Sequence, residues 1–247
     1  MLKIIFKNIL KYYLFAICKI LIVFKKPIVI AIAGSTNKHF TKLAVIENLN
    51  QKKISYRANK KNFNTEIGLP LAILDLPSGY SQYKKWLPVI FNAPLTIFKK
   101  KFPQYLVLEL GTSDPGDMKY LLKIIKPKIA IITDITQRYL ESFRDVNELV
   151  EEYQTLIKSI PPNGLLVYNN DNPRIKKIGE TAQCKTQSFS IFSNSDFQAI
   201  DITKNKEGYS FNIKNKDNIT KHCLNYHGTH HIYAHLIGEI INHHVNN

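Results

Sequence analysis

The chain opens on twenty-four residues, MLKIIFKNILKYYLFAICKILIVF, in which Lys3, Lys7 and Lys11 recur at every fourth position. Asn8 and Lys19 fall on the same broad side of a 3.6-residue helix, and nearly everything else is Leu, Ile, Phe, Tyr or Val. The pattern predicts an amphipathic helix over residues 1–24 with a narrow cationic stripe. Only seven residues separate Lys11 from Lys19, whereas a bilayer span takes about 20 apolar residues in a row. No small-residue cleavage site precedes Lys25-Lys26-Pro27, which disfavours a cleaved signal peptide. The expected place of the helix is the membrane interface. Packing on the following domain or on another subunit is the alternative.

Short apolar runs then alternate with helical patterns. IVIAIAG, ending in Gly34, reads as a buried parallel strand, and LAVIENLNQKK as the helix after it. Further strands are predicted at residues 105–110, 129–133 and 165–168, with helices at 117–125 and 147–160. Strands alternating with helices predict a three-layer α/β domain, of the phosphate-loop type, around a mainly parallel sheet. From residue 188 the period shifts to two, at 188–192, 197–202 and 209–213, with turns at Gly208 and 214–218. That predicts a small antiparallel meander, followed by a last helix from about His230. Residues 77–104, with four prolines and clustered Lys, read as a helical excursion with loops.

Composition narrows the class. With 45% apolar and 21% charged residues in 247, the chain is neither disordered, collagen-like nor a polytopic membrane protein. Cys18, Cys184 and Cys223 form no CxxC pair, so neither a disulfide framework nor a cysteine zinc site is expected, and a reducing, cytoplasmic compartment fits. The net charge is +15, and residues 1–61 carry thirteen basic residues against one acid, Glu47. Only four of the 34 basic residues are Arg, which disfavours nucleic acid as the partner of a basic module. An anionic membrane surface, met through residues 1–26 at the inner face of the membrane, is the better match.

Strand, glycine turn, lysine, helix is the layout of a phosphate-binding loop, here Gly34, Ser35, Thr36, Asn37, Lys38 and His39. Four further segments give that loop a context. They are NFNTEIGLPLAIL at 62–74, LELGTSDPGD at 108–117, NGLLVYNNDNP at 163–173 and GTHH at 228–231. Together, in this order and over about residues 28–240, they resemble the central ATP-binding domain of the Mur ligases. The nearest type is the one that adds D-alanyl-D-alanine to a UDP-N-acetylmuramoyl-tripeptide. The resemblance implies ATP and Mg²⁺ as cofactors and an acyl phosphate that an incoming amine attacks. It assigns Asn62, Asn64 and Glu66 to the substrate side, Glu109 to the metal, and Asn169 and Asp171 to the neighbourhood of the adenine. Asn169 and Asp171 read equally well as turn residues. Gly68 and Pro70 are expected to set a turn.

Departures from the family pattern are as informative. Asn37 replaces the second glycine of the loop, and Asn tolerates positive φ better than other side chains. His39 stands where a Ser or Thr hydroxyl would reach Mg²⁺, and imidazole is a poor ligand for that ion. Phe40 follows, and Thr41 lies one position off the required face. Tyr139 stands in place of a metal-site His. Tyr153 falls at the position of a lysine that the family modifies to a metal-binding carbamate, and Thr155 at a following Glu. No residue is assigned as catalytic. These changes imply a weakened nucleotide site or a loop kept as a fold element, and hence a degenerate homologue that is not catalytic alone. A ligase completed by a second chain is the alternative, and cell-wall synthesis enzymes or that complementing chain are the expected protein partners. The family's N-terminal UDP-binding domain and C-terminal domain are expected to be absent. His227, His231 and His235 recur at i, i+4, but no acid or cysteine joins them, so that stripe is not expected to hold a metal.

Overall fold

The computed structural model describes all residues except Met1, Lys61, Asn62, Ser81, 138–141, Asp217 and Asn247; the side chains of Leu2, Lys3 and Asn246 are likewise outside the described set. The expectations for Asn62 and Tyr139 therefore fall outside the described residues.

The sheet grows from the β-branched runs. Strands β1 (Ile28–Ala33), β2 (Tyr56–Ala58), β3 (Tyr105–Glu109), β4 (Ile129–Ile132), β5 (Leu165–Asn169), β6 (Lys185–Ser190), β7 (Phe197–Lys204), β8 (Tyr209–Asn215) and β9 (Asn218–Leu224) form one sheet in the order β2-β3-β1-β4-β5-β6-β7-β8-β9. Pairing is parallel from β2 across to β7 and antiparallel through β8 and β9. The antiparallel region is thus the edge of one continuous sheet, and β6, expected within the meander, pairs parallel with β5. β2 and β9 lack a marked alternation, and the ladders to their neighbours, not their own pattern, define them.

The period of two in β1 feeds two cores. Val29, Ala31 and Ala33 face one side, while Ile30 and Ile32 face the other. The first side is covered by α1 (Leu2–Lys25), α3 (Gly68–Leu74), α4 (Tyr83–Leu95), α5 (Asp117–Ile124), α6 (Val146–Ser159) and α7 (Pro173–Gly179). The second side is covered by α2 (Lys38–Gln51) and α8 (Thr229–Asn246). Gly68 and Pro70, expected to set a turn, instead open the buried helix α3; Pro at a first helical turn loses no intrahelical bond.

Helix α1 belongs to the first core. Leu10, Leu14, Ile17, Cys18 and Leu21 are buried against the domain, at about 1.5–3 kcal/mol for each large apolar side chain. Its cationic stripe is engaged with the domain: Lys7 Nζ lies 2.8 Å from Glu66, and Lys11 Nζ sits 4.1 Å from the centre of the Tyr120 ring. Helix α4 lies parallel beside it, as three successive contacts require: Phe6 against Tyr83, the Tyr13 hydroxyl on Ile90 O, and Lys25 Nζ on Lys99 O. No described helix is long and apolar enough to cross a membrane.

Candidate functional site

Chain order reverses at β1, whose neighbours are β3 and β4. The loops leaving the carboxyl ends of these strands therefore part to the two sides of the sheet and leave a crevice, the usual ligand position in an open parallel sheet. Gly34 makes the turn out of β1 with φ 141°, and a Cβ there would overlap Thr133 Oγ1 and stand 3.0 Å from Asp134 N and O. Only glycine lets the loop pass this close to the end of β4. The loop is then tied down: Ser35 N–H donates to Asp134 O at 2.8 Å, and the Thr133 hydroxyl donates to Thr36 O at 2.6 Å. The Thr36 hydroxyl donates to Asp134 Oδ2 at 3.2 Å. Asn37 adopts φ 63° at the N-cap of α2, as expected of the residue replacing a glycine. Lys38 folds back and donates to Gly34 O. Burial pushes its pKa down, and the Glu109 carboxylate opposes that shift.

Gly34, Ser35, Lys38 and Asn64 line a cleft of about 260 Å³ together with Gly111, Thr112, Ser113, Ser142 and Tyr153. The cleft brings the glycine loop beside Asn64. Gly111 N–H donates to Asn64 O at 2.9 Å, and the Asn64 side chain stands 3.0 Å from where a Cβ on Gly111 would be. Thr112, Ser113 and Ser142 were not singled out from sequence; small hydroxyl residues in loops are too common to stand out. Tyr153 is buried. Its hydroxyl lies 3.4 Å from Thr112 Oγ1, and burial raises its pKa, so it presents a neutral phenol.

Glu109 ends β3 beside the loop. Its carboxylate is 2.7 Å from Lys42 Nζ, with His39 Nδ1 at 3.8 Å. Lys42, buried on α2, also donates to Asn59 O at 2.8 Å. Asn59 in turn clamps the strand end, accepting from Glu109 N and donating to Glu109 O at 2.9 and 3.0 Å. Sequence reading missed both Lys42 and Asn59 as the residues that hold Glu109. The available signal was Lys42 at the end of the glycine-loop segment, one helical turn beyond Lys38. This donor set suits Mg²⁺ only in part. Glu109 offers an oxygen, but Lys42 already pairs with it, and His39 brings a nitrogen where magnesium prefers oxygen. Lys38 and the backbone N–H groups at the start of α2 suit a phosphate.

The remaining candidates have structural partners. Glu66 is ion-paired with Lys7. Burial would raise its pKa, but the Lys7 contact and the Lys11 charge prevail and hold it low. Asn169 is buried and donates to Thr133 O at 3.0 Å. Asp171 accepts from the N–H groups of Ile191, Phe192 and Ser193 and from the Tyr233 hydroxyl at 2.8 Å. Burial pushes the Asp171 pKa up, yet these hydrogen bonds outweigh it and the net shift is downward. Neither residue lines the cleft. Asn172, the N-cap of α7, donates to Asp134 Oδ1 at 2.7 Å, so the 169–172 turn braces the glycine loop from behind.

The Mur ligase middle domain family matches residues 88–247. Over 192 residues the chain is 27% identical to the UDP-N-acetylmuramoyl-tripeptide–D-alanyl-D-alanine ligase of Bacillus subtilis, covering 77% of this chain and 36% of that enzyme. The Buchnera aphidicola enzyme of the same name is 29% identical over 206 residues, covering 81% of this chain and 39% of that enzyme. The chain thus spans well under half the length of these relatives. Among solved structures, MurF from Acinetobacter baumannii superposes with TM-score 0.77 at 19% identity, over 96% of this chain and 47% of that one. MurF ligase from Thermotoga maritima in complex with ADP superposes with TM-score 0.76 at 21% identity, over 96% and 50%.

Proposed function

The chain belongs to the Mur ligase family, and from that premise we propose a degenerate homologue in peptidoglycan precursor synthesis that holds the phosphates of ATP weakly. On this reading it does not complete a ligation alone. The observation that carries the reading is the cleft itself. Lys38 and the glycine loop supply the positive side of a phosphate site. The same cleft offers the Tyr153 phenol where the resemblance places a charged, metal-binding group. Phosphoryl transfer depends on neutralising developing charge, and this cleft supports binding better than turnover. When bound, Mg²⁺ would supply that neutralisation, and Glu109 is the carboxylate that would hold it, in competition with Lys42.

A thermal shift with Mg-ATP, run beside Lys38→Ala, tests the reading. Ligand at about 100 times its Kd adds roughly 2.7 kcal/mol of stability. The expected outcome is a shift at millimolar ATP that Lys38→Ala abolishes. No shift in the unmodified protein would reduce the loop to a fold element. Acid–amino acid ligase activity gained on adding a second chain, and lost in Glu109→Ala, would favour a completed ligase over a degenerate one.

A second reading concerns the outer face of α1 and α4, for which an anionic membrane surface is the partner that fits. Ile9, Tyr12 and Val23 on α1 are 64–66% exposed, and Phe91 and Phe98 on and after α4 are 73% and 78% exposed. Ile5, Ile20, Leu87 and Leu95 are exposed along the same helices. Exposed Lys84, Lys85, Lys99, Lys100 and Lys101 border this apolar surface. Neither residues 1–46 nor residues 76–108 contain an acid. Apolar side chains rimmed by lysines suit the interface of an anionic bilayer, where each Lys contributes about 1 kcal/mol. On this reading the chain lies at the cytoplasmic side of the membrane. Co-sedimentation with phosphatidylglycerol vesicles but not with neutral ones is expected; equal behaviour with both would remove the reading.

A further inference from the structure

His227, His231 and His235, spaced at i, i+4, do not converge on one another. His231 stacks on Tyr226 with ring centres 4.9 Å apart, and His227 Nε2 lies 3.3 Å from Lys206 O. His235 instead meets His222, which arrives from β9, and Glu239, one turn further along α8. His222 Nδ1 and His235 Nε2 are 2.9 Å apart, and Glu239 Oε1 is 3.9 Å from His235 Nε2. All three donor atoms lie within 4.8 Å of one another. Ligand atoms on one tetrahedral zinc, with bonds of about 2.0–2.2 Å, stand roughly 3.3–3.5 Å apart. The observed separations straddle that value, so small side-chain rotations would close the set.

The geometry points to a zinc site at His222, His235 and Glu239, independent of the nucleotide cleft, that ties the outer strand of the sheet to α8. The donor set is two imidazole nitrogens and a carboxylate, which suits Zn²⁺ and leaves a fourth position to water. Two features fix the imidazoles before any ion arrives. Thr220 Oγ1 lies 2.7 Å from His222 Nε2, which engages that nitrogen and leaves Nδ1 for the shared position. The Phe211 ring packs flat on His222, with centres 6.0 Å apart and 20° between planes, and edge-on to His235 at 5.8 Å. Glu239 follows His235 by four residues, so one helix face presents both. β9 is the last strand of the sheet and is held by its ladder to β8. A bound ion would add a second tie, to the helix that packs on α2 through Gly238 against Ala44 and Asn48.

The competing arrangement is a plain hydrogen bond between two imidazoles, for which 2.9 Å is also a normal distance. Titrating the untagged full chain with Co²⁺, and competing with Zn²⁺, separates the two. The expected result is one Co²⁺ per chain with the intense visible bands of a tetrahedral ion, displaced by one Zn²⁺, and a melting temperature raised by Zn²⁺. His222→Ala, His235→Ala and Glu239→Gln should each abolish the bands while circular dichroism stays native. Thr220→Val should weaken binding about 10–100-fold, as loss of a ligand-orienting partner does. His227→Ala should leave the titration unchanged. Bands that survive His222→Ala, sub-stoichiometric binding to the unmodified chain, or equal loss in His227→Ala would overturn the site and leave a hydrogen-bonded pair only.

Discussion

The cleft and the α1–α4 face treat their side chains in opposite ways. At the cleft and in the turns behind it, polar groups are already used by the protein: Lys38 by Gly34 O and Glu109, beside the loop, by Lys42, with Asn169 and Asp171 behind the loop held by Thr133 O and by the 191–193 N–H groups and Tyr233. On the α1–α4 face, large apolar groups that usually anchor a core stand in solvent. A site that satisfies its own polar groups is rigid and, in this case, short of free charge. A face that leaves apolar groups uncovered stores its free energy for a partner. Mutations at the first should therefore act on stability, and mutations at the second on association.

The largest effect should come from the buried pair. Lys42→Met leaves the largely buried Glu109 carboxylate with only Lys38 and His39 nearby, and breaking a buried pair costs at most about 3–5 kcal/mol. Urea unfolding should show that loss, and Lys42→Met with Glu109→Gln should recover most of it. Asp171→Ala removes charge-assisted hydrogen bonds and should cost about 1.5–3 kcal/mol. Its sign with pH is fixed: a carboxylate whose folded pKa is depressed stabilises fully above the unfolded pKa, about 3.9. That contribution is lost as pH falls through the lower folded value, so the acid limb of stability should flatten in Asp171→Ala. Gly34→Ala, strained at φ 141° and obstructed by Thr133, should lose about 1 kcal/mol or more. Smallest in stability is Phe91→Ser with Phe98→Ser, within about 0.5 kcal/mol, while vesicle binding falls sharply. A pair of serines that unfolds the protein, or leaves vesicle binding intact, would dissolve the contrast.

Much of this was legible in the order of residues. Apolar runs of the right length became β1, β3, β4 and β5, because a strand buried on both faces needs little more than contiguous β-branched residues. The turn at Gly34 and the positive φ at Asn37 followed from local chemistry. Helix α1 was legible as a helix but not in its orientation. Its lysines read as a solvent- or lipid-facing stripe until Glu66 and the Tyr120 ring, more than fifty and a hundred residues away, received them.

What the sequence determined alone was therefore local: which segments are strands or helices, where the backbone must turn through glycine, and which family the segments resemble. What the tertiary structure decided was pairing. Lys42 with Glu109, Asp171 with the 191–193 turn, His222 with His235 and Glu239, and α1 with α4 all join residues from different elements. Periodicity reports the face on which a side chain lies, but only the packed fold brings a second face within hydrogen-bond reach, and the short range of these interactions makes that contact decisive.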